Sequence, residues 1–214
     1  MDFWWMDWQQ GESSEVKGLD PLPWINHLHF RDSTRRGRRG MLYSRWGGLG
    51  NHRYPIGFSG DTIIQWEALQ NQPNFTATAA NVAYGWWSHD IGGFEQTASA
   101  DVYKRWCAFG LLSSHSRLHG SSSYRVPWLF DEEGMPGPTA SDVLRFFTKL
   151  KCRLMPYLYG AAVEAHEAGV PVMRAMPIEF PGDPGCDTLD RQYMLGERLL
   201  VAPVFSPDGT VDYY

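Results

Sequence analysis

Acidic and basic side chains recur along this chain directly after short apolar or aromatic runs, where they could act together on a bound molecule. Asp7 follows Trp-Trp-Met, and Asp61 closes a run that begins Ile56-Gly57-Phe58. Two carboxyl groups can cleave an acetal, because one stays ionised and attacks while the other protonates the leaving oxygen. Arg45, which lies between them in the sequence, could hold one carboxylate ionised. These residues predict acid–base chemistry centred on Asp7 and Asp61.

Two further runs end in Asp90 and His119, which we expect to bind sugar hydroxyls through charge-assisted hydrogen bonds. A structural alternative stays open for each residue. Either Asp61 or Asp90 could instead cap the following helix. His119 could be a hydrogen-bonded structural residue, and Arg45 could pair with a core carboxylate. Capping alone, however, does not require five residues to fall at the same end of consecutive strands, as we expect of Asp7, Arg45, Asp61, Asp90 and His119.

The elements that must position these residues are buried parallel strands, which deliver functional side chains at their carboxyl ends. Four such runs separated by helix-length segments predict part of a (β/α)₈ barrel. A complete barrel takes about 250 residues, and the chain has 214. Because the first motif stands at the very start of the chain and the chain stops inside a strand-like run at 211–214, we expect an internal piece of a longer protein, cut at both ends.

Element boundaries follow from periodicity and from Gly and Pro positions. Helices are expected over 23–36, 62–84 (broken near Pro73), 98–114 and 141–168 (bent at Pro156), and strands over 2–7, 41–45, 56–61 and 85–90. The segments 171–176 and 193–205 look like β-structure. We predict a partial catalytic barrel over residues 1–170, with the end of the barrel and the beginning of a small β-sandwich domain over 171–214.

Composition narrows the class of protein. A net charge of −5 with 20% charged residues does not suit a nucleic-acid partner, and no apolar run reaches the ~18 residues of a membrane span. The three cysteines lack metal-ligand spacing and are expected to be free, buried thiols. His115 and His119 stand four apart but not on a predicted helix, so no metal site is expected. Compartment and oligomeric state stay open.

At the strand-end residues named above, the chain resembles glycoside hydrolase family 31, the retaining α-glucosidases, α-xylosidases and their relatives. The resemblance spans nearly the whole chain and rests on motifs together with their spacing. Matching features are Trp5-Met6-Asp7, the interval of sixteen residues from Arg45 to Asp61, the pair Gly60-Asp61, the motif Asp90-Ile91-Gly92-Gly93-Phe94, and the 29 residues from Asp90 to His119.

The resemblance implies about strands 4–8 of the (β/α)₈ barrel and a retaining, α-glucosidase-like hydrolysis of terminal α-linked sugars. Asp7 would be the nucleophile that forms a glycosyl–enzyme intermediate, and Asp61 the acid/base. The substrate-binding residues would be Trp5, Arg45, Asp90, Phe94 and His119. An oligosaccharide or glycoside would be the substrate, and no metal or organic cofactor is implied.

The chain departs from the family pattern around the pocket, at Trp8-Gln9-Gln10, Phe58, Thr62, His89 and Leu118. These departures leave open an α-xylosidase, an α-galactosidase, an α-N-acetylgalactosaminidase or a transglycosylase. A non-catalytic carbohydrate-binding barrel is a further alternative. The isolated chain could also be inactive, because five strands of eight leave unpaired sheet edges.

Overall fold

The computed structural model describes residues 2–8, 10–54, 56–134 and 136–214, so Gln9 lies outside the described residues. The first part of the chain alternates parallel strands with helices. Its strands are β1 (Trp4–Met6), β2 (Leu42–Arg45), β3 (Ile56–Phe58), β4 (Trp86–Ser88), β5 (Asp90–Ile91) and β6 (Arg117–Leu118). Its helices are α1 (Pro21–Ser33), α2 (Trp66–Asn81), α3 (Ala100–Leu111) and α4 (Ala140–Ala168). The later elements are β7 (Met173–Arg174), the short helix α5 (Met176–Glu179), β8 (Tyr193–Leu195) and β9 (Leu199–Val201).

The order of the strands in the sheet places the carboxyl ends of β1, β2 and β3 side by side. Strands β1 to β4 form a parallel sheet in sequence order, and β5 pairs with β6, also in parallel. The register matches Met6 with Ser44 and Arg45 with Phe58. Because carboxyl ends of parallel strands share one edge, the residues that follow β1, β2 and β3 emerge together.

Local sequence explains where the helices begin and end. Asp20, Ser99 and Thr139 each accept a backbone hydrogen bond at the start of α1, α3 and α4. Gly169, with a φ of 73°, ends α4 in the left-handed conformation that glycine adopts readily. The predicted break near Pro73 is wrong, since α2 continues through that residue, which is buried.

Two other expectations need correction. The predicted helix 62–84 starts only at Trp66, because Thr62 and Ile64 are bonded instead to the loop after β5: Phe94 N and Glu95 N donate to Thr62 O, and Ile64 N donates to Glu95 O. Cys107 and Cys186 are buried free thiols, but Cys152 on α4 is exposed.

The last three strands, β7, β8 and β9, form an antiparallel sheet that packs onto the barrel helices. One hydrophobic cluster contains Leu69 of α2, Trp106 of α3 and Leu158 of α4 together with Met173 and Tyr193 of this sheet. Both parts of the chain therefore share a core. Among the described helices, none combines the length and the apolar character needed to cross a membrane.

Candidate active site

Asp7, Arg45 and Asp61 meet at the carboxyl ends of the first three strands. Arg45 Nε donates a hydrogen bond to Asp7 Oδ1, and its Nη2 donates to Asp61 Oδ1 at 2.9 Å. Arg45 is largely covered, with 15% of its side chain exposed, whereas the Asp7 and Asp61 side chains are 22% and 33% exposed. The two carboxyls can therefore be reached from outside while a shared guanidinium holds them in place.

The charge on Arg45 is stabilised by this arrangement. Burial works against the guanidinium cation, but its bonds to Asp7 and Asp61 outweigh that effect and raise the pKa of Arg45. Gly60 allows the close approach, because a Cβ there would lie 2.6 Å from Arg45 Nη1 and its φ is +81°. This contact explains why glycine precedes Asp61.

Neither Asp61 nor Asp90 caps a helix. The cap position of α2 is Gln65, four residues after Asp61, and that of α3 is Ser99. The capping alternative therefore fails for both Asp61 and Asp90, and Arg45 pairs with strand-end carboxylates rather than with a core one.

Asp90 lies deeper than the other two carboxyls, with no exposed side-chain surface. Arg117 Nη2 donates to its Oδ1. Burial raises the pKa of Asp90 to about 7, and the attraction of Arg117 only partly opposes this. Asp90 therefore forms the floor of the site rather than its rim.

His119, Trp5 and Phe94 form one wall above this floor. The His119 ring stacks on Phe94 with centroids 5.2 Å apart and meets the edge of Trp5 at 5.3 Å. Burial and the nearby Arg117 lower the pKa of His119, although Asp61 and Asp7 act in the opposite direction. A neutral imidazole can both donate and accept a hydrogen bond from a hydroxyl group.

The loop that carries Phe94 is held by a residue that the sequence did not single out. Arg125, which is buried, donates from Nε to Gly93 O at 2.8 Å and from Nη2 to Phe94 O and Gln96 O at 3.1 and 2.9 Å. Backbone carbonyls carry no sequence signature, so no motif could have pointed to Arg125.

Arg117 was also missed, although a signal for it exists. It stands two residues before His119 and starts β6. Since alternate residues of a strand share a face, placing His119 at the site implies that Arg117 faces the same way. As for metals, no cluster of three or more potential ligands (His, Cys, Asp, Glu) occurs among residues 2–8, 10–54, 56–134 and 136–214.

Comparison with known proteins agrees with this geometry. Residues 1–161 match the glycosyl hydrolases family 31 TIM-barrel domain, and residues 169–214 match the glycosyl hydrolase family 31 C-terminal domain. An α-xylosidase from Emericella nidulans is 47% identical over 174 residues, which cover 81% of this chain and 22% of that protein. The α-xylosidase XylQ from Lactiplantibacillus pentosus is 49% identical over 135 residues, 61% of this chain and 17% of that protein.

Solved structures are similar as well. A Flavobacterium johnsoniae family 31 dextranase complexed with glucose superimposes with a TM-score of 0.81 at 28% identity, covering 95% of this chain and 28% of that one. The chain spans about a fifth of the length of the two α-xylosidases described above. The resemblance and the barrel class predicted from the motifs are confirmed, and the chain belongs to glycosyl hydrolase family 31.

Proposed function

We propose that the protein carrying this chain is a retaining α-glycosidase in which Asp7 is the nucleophile and Asp61 the acid/base. The observation that carries the proposal is the single guanidinium of Arg45, hydrogen-bonded to both carboxyls. Such a bridge holds two carboxyl groups side by side, as a double displacement at one carbon requires. Trp5, Phe94 and His119 beside them offer the ring surfaces that sugars stack on.

In the first step the Asp7 carboxylate attacks the anomeric carbon, the bond to the leaving oxygen breaks, and Asp61 gives that oxygen its proton. In the second step Asp61 takes a proton from water, whose oxygen attacks the same carbon and releases Asp7. Arg45 binds Asp61 through Oδ1. A protonated carboxyl still accepts at its carbonyl oxygen, so Oδ2 is the atom that carries the proton.

For the sugar, we favour a terminal α-xyloside. Two relatives named α-xylosidase are 47% and 49% identical to this chain, against 29% over 176 residues for an α-glucosidase 2 from Bacillus thermoamyloliquefaciens. An α-glucoside is the alternative within the same mechanism. We also propose that residues 1–170 form the partial catalytic barrel and that 171–214 contain the end of the barrel and the beginning of a β-domain. The change from parallel to antiparallel strand pairing after Gly169 supports this division.

The test uses the complete open reading frame that encodes this chain and a panel of aryl α-glycosides: xyloside, glucoside, galactoside and N-acetylgalactosaminide. We expect turnover of the α-xyloside, release of the α-anomer as first product in an NMR time course, and loss of turnover in Asp7→Asn. Sugar binding without turnover of any glycoside would instead favour a non-catalytic carbohydrate-binding barrel. Release of the β-anomer first would contradict the double displacement.

A further inference from the structure

Arg117, on β6, has its guanidinium group enclosed by aromatic rings from three other strands. Its Cζ lies 4.8 Å from the ring centroid of Trp5, 4.8 Å from that of Tyr43 and 5.3 Å from that of Phe58. Arginine suits this position because its flat cation can lie over aromatic rings and still donate hydrogen bonds in its plane. The rings on β1, β2 and β3 thereby fix the guanidinium of a residue on β6.

The group that Arg117 holds is the carboxyl of Asp90. Arg117 Nη2 donates to Asp90 Oδ1, and 19% of the Arg117 side chain is exposed against none of Asp90. Asp90 Oδ2 is buried and has no hydrogen-bond partner among the residues that the structure describes. Buried carboxylate oxygens are seldom left without a donor, so an unpaired one beside Asp61 and Arg45 points to a ligand group.

Other charged groups near Asp90 are engaged elsewhere. The titratable and charged side chains that face it are Arg117, Asp61, Arg45, Tyr43 and Arg125. Arg45 is bonded to Asp7 and Asp61, and Arg125 is bonded to the carbonyls of the loop 93–96. Among the described residues, Arg117 is therefore the cation that bonds the Asp90 carboxyl directly.

We propose that Arg117 is a positioning residue: it fixes the Asp90 carboxyl so that Oδ2 accepts a hydrogen bond from a sugar hydroxyl in the site of Asp7 and Asp61. The proposal rests on the proposed function. Without Arg117 the carboxyl would be free to rotate and would stand buried without its counter-charge. The sugar would then lose an oriented acceptor, although Asp90 itself would still be present.

A double-mutant cycle separates an effect through Asp90 from a direct one. Four forms of the complete protein are compared on the preferred aryl glycoside: wild type, Arg117→Met, Asp90→Asn and the double variant. We expect Arg117→Met to lower kcat/KM by about 10- to 100-fold, as for a lost hydrogen bond to a charged group, mainly through a higher KM. In the Asp90→Asn background the same substitution should change kcat/KM by less than about threefold.

Two further variants sharpen the comparison. Arg117→Lys keeps the charge but lacks the planar fork, so it should recover only part of the loss. Arg145→Met removes an arginine whose side chain is 61% exposed on α4 and should leave kcat/KM unchanged. A lower kcat at unchanged KM, as a reduced fraction of folded enzyme or a contact made only in the transition state would give, would overturn the proposal. Full activity in Arg117→Met or equal losses in both backgrounds would overturn it as well.

Failure of the proposed function would be recognised separately, since it is tested by Asp7→Asn and the glycoside panel. If the wild type turned over none of the glycosides, the cycle would be measured as the affinity for xylose by titration calorimetry. Coupling of the two residues in affinity would support the positioning role, and additive losses would overturn it.

Discussion

Arg45 Nη2 donates a 2.9 Å hydrogen bond to Asp61 Oδ1, although sixteen residues separate the two in the sequence. The register pairs Arg45 with Phe58, so the short segment from Phe58 to Asp61 brings the carboxyl back over the end of β2. Arg45 also binds Asp7. A substitution at one carboxyl should therefore alter the hydrogen bonding of the other, because both are bonded to Arg45.

The two carboxyls should respond differently to the leaving group. Asp7→Asn removes the proposed nucleophile and should abolish turnover of every glycoside. Asp61→Asn should lower kcat by about 10²- to 10⁴-fold for alkyl glycosides, the usual contribution of a general acid. With acidic phenols as leaving groups the glycosylation step should be far less affected, since no proton is needed. The value of kcat/KM, which reports the glycosylation step, is measured on a series of leaving groups, and an equal loss of kcat/KM across the series would contradict the acid role.

Removing Arg45 should impair both activity and stability. Arg45→Met leaves two nearby carboxyls without their shared donor, and we expect kcat/KM to fall by about 10- to 100-fold. The melting temperature should fall as well. The matched control is Arg38→Met: that arginine pairs with Asp2, but the two side chains are 53% and 86% exposed, and surface pairs contribute little. Kinetics and thermal unfolding of the two variants should differ clearly.

One buried histidine, His89, and one partly buried histidine, His115, should make the protein less stable in acid. Burial, with repulsion from Lys151, lowers the pKa of His89 to about 3 and that of His115 to about 4. Their unfolded pKa is about 6.5, so the unfolded state binds more protons below that value. The free energy of unfolding should therefore fall as pH drops below 6.5, by about 1.4 kcal/mol per pH unit for each histidine.

Urea unfolding at several values between pH 7.5 and 5 measures this slope. His89→Gln should flatten it, because an amide does not titrate. The exposed His166 provides the control, and His166→Gln should keep the wild-type slope. A slope unchanged in His89→Gln would show that protonation of His89 is not coupled to unfolding.

Gly93 should not tolerate a side chain. Its φ is +74°, and a Cβ would lie 2.4 Å from Ile64 Cγ1 and 3.2 Å from Ile64 Cα. Gly48 has the same φ, but a Cβ added there would have nothing within 4 Å, so Gly48→Ala isolates the backbone strain of about 1–2 kcal/mol. Gly93→Ala should destabilise the protein more than this and raise KM, because the loop that carries Phe94 must shift. Equal melting temperatures for the two variants would contradict the steric argument.

The strand ends could be predicted because each candidate site residue follows a local apolar run, and parallel strands bring such ends together. Arg125 could not be predicted, because it acts on backbone carbonyls of a distant loop. The start of α2 was misplaced for a similar reason: Thr62 O accepts from Phe94 N at 2.9 Å, a contact that local propensity does not contain. Sequence patterns thus predicted which strand-end residues lie together in the candidate site, whereas the side chains that hold its loops depend on tertiary contacts.

The core shared by the helices and the final sheet has a consequence for gene recombination. Tyr193 Oη donates to Leu112 O at 2.9 Å, Gln70 Nε2 donates to Phe205 O at 2.9 Å, and Tyr157 Oη donates to Leu195 O at 2.7 Å. A crossover between two family members near Gly169 would join halves whose matching surfaces had diverged separately. In chimeras made there, the interface between the two parts should pack poorly. Residues 169–214 are therefore better exchanged together with α2, α3 and α4 than alone.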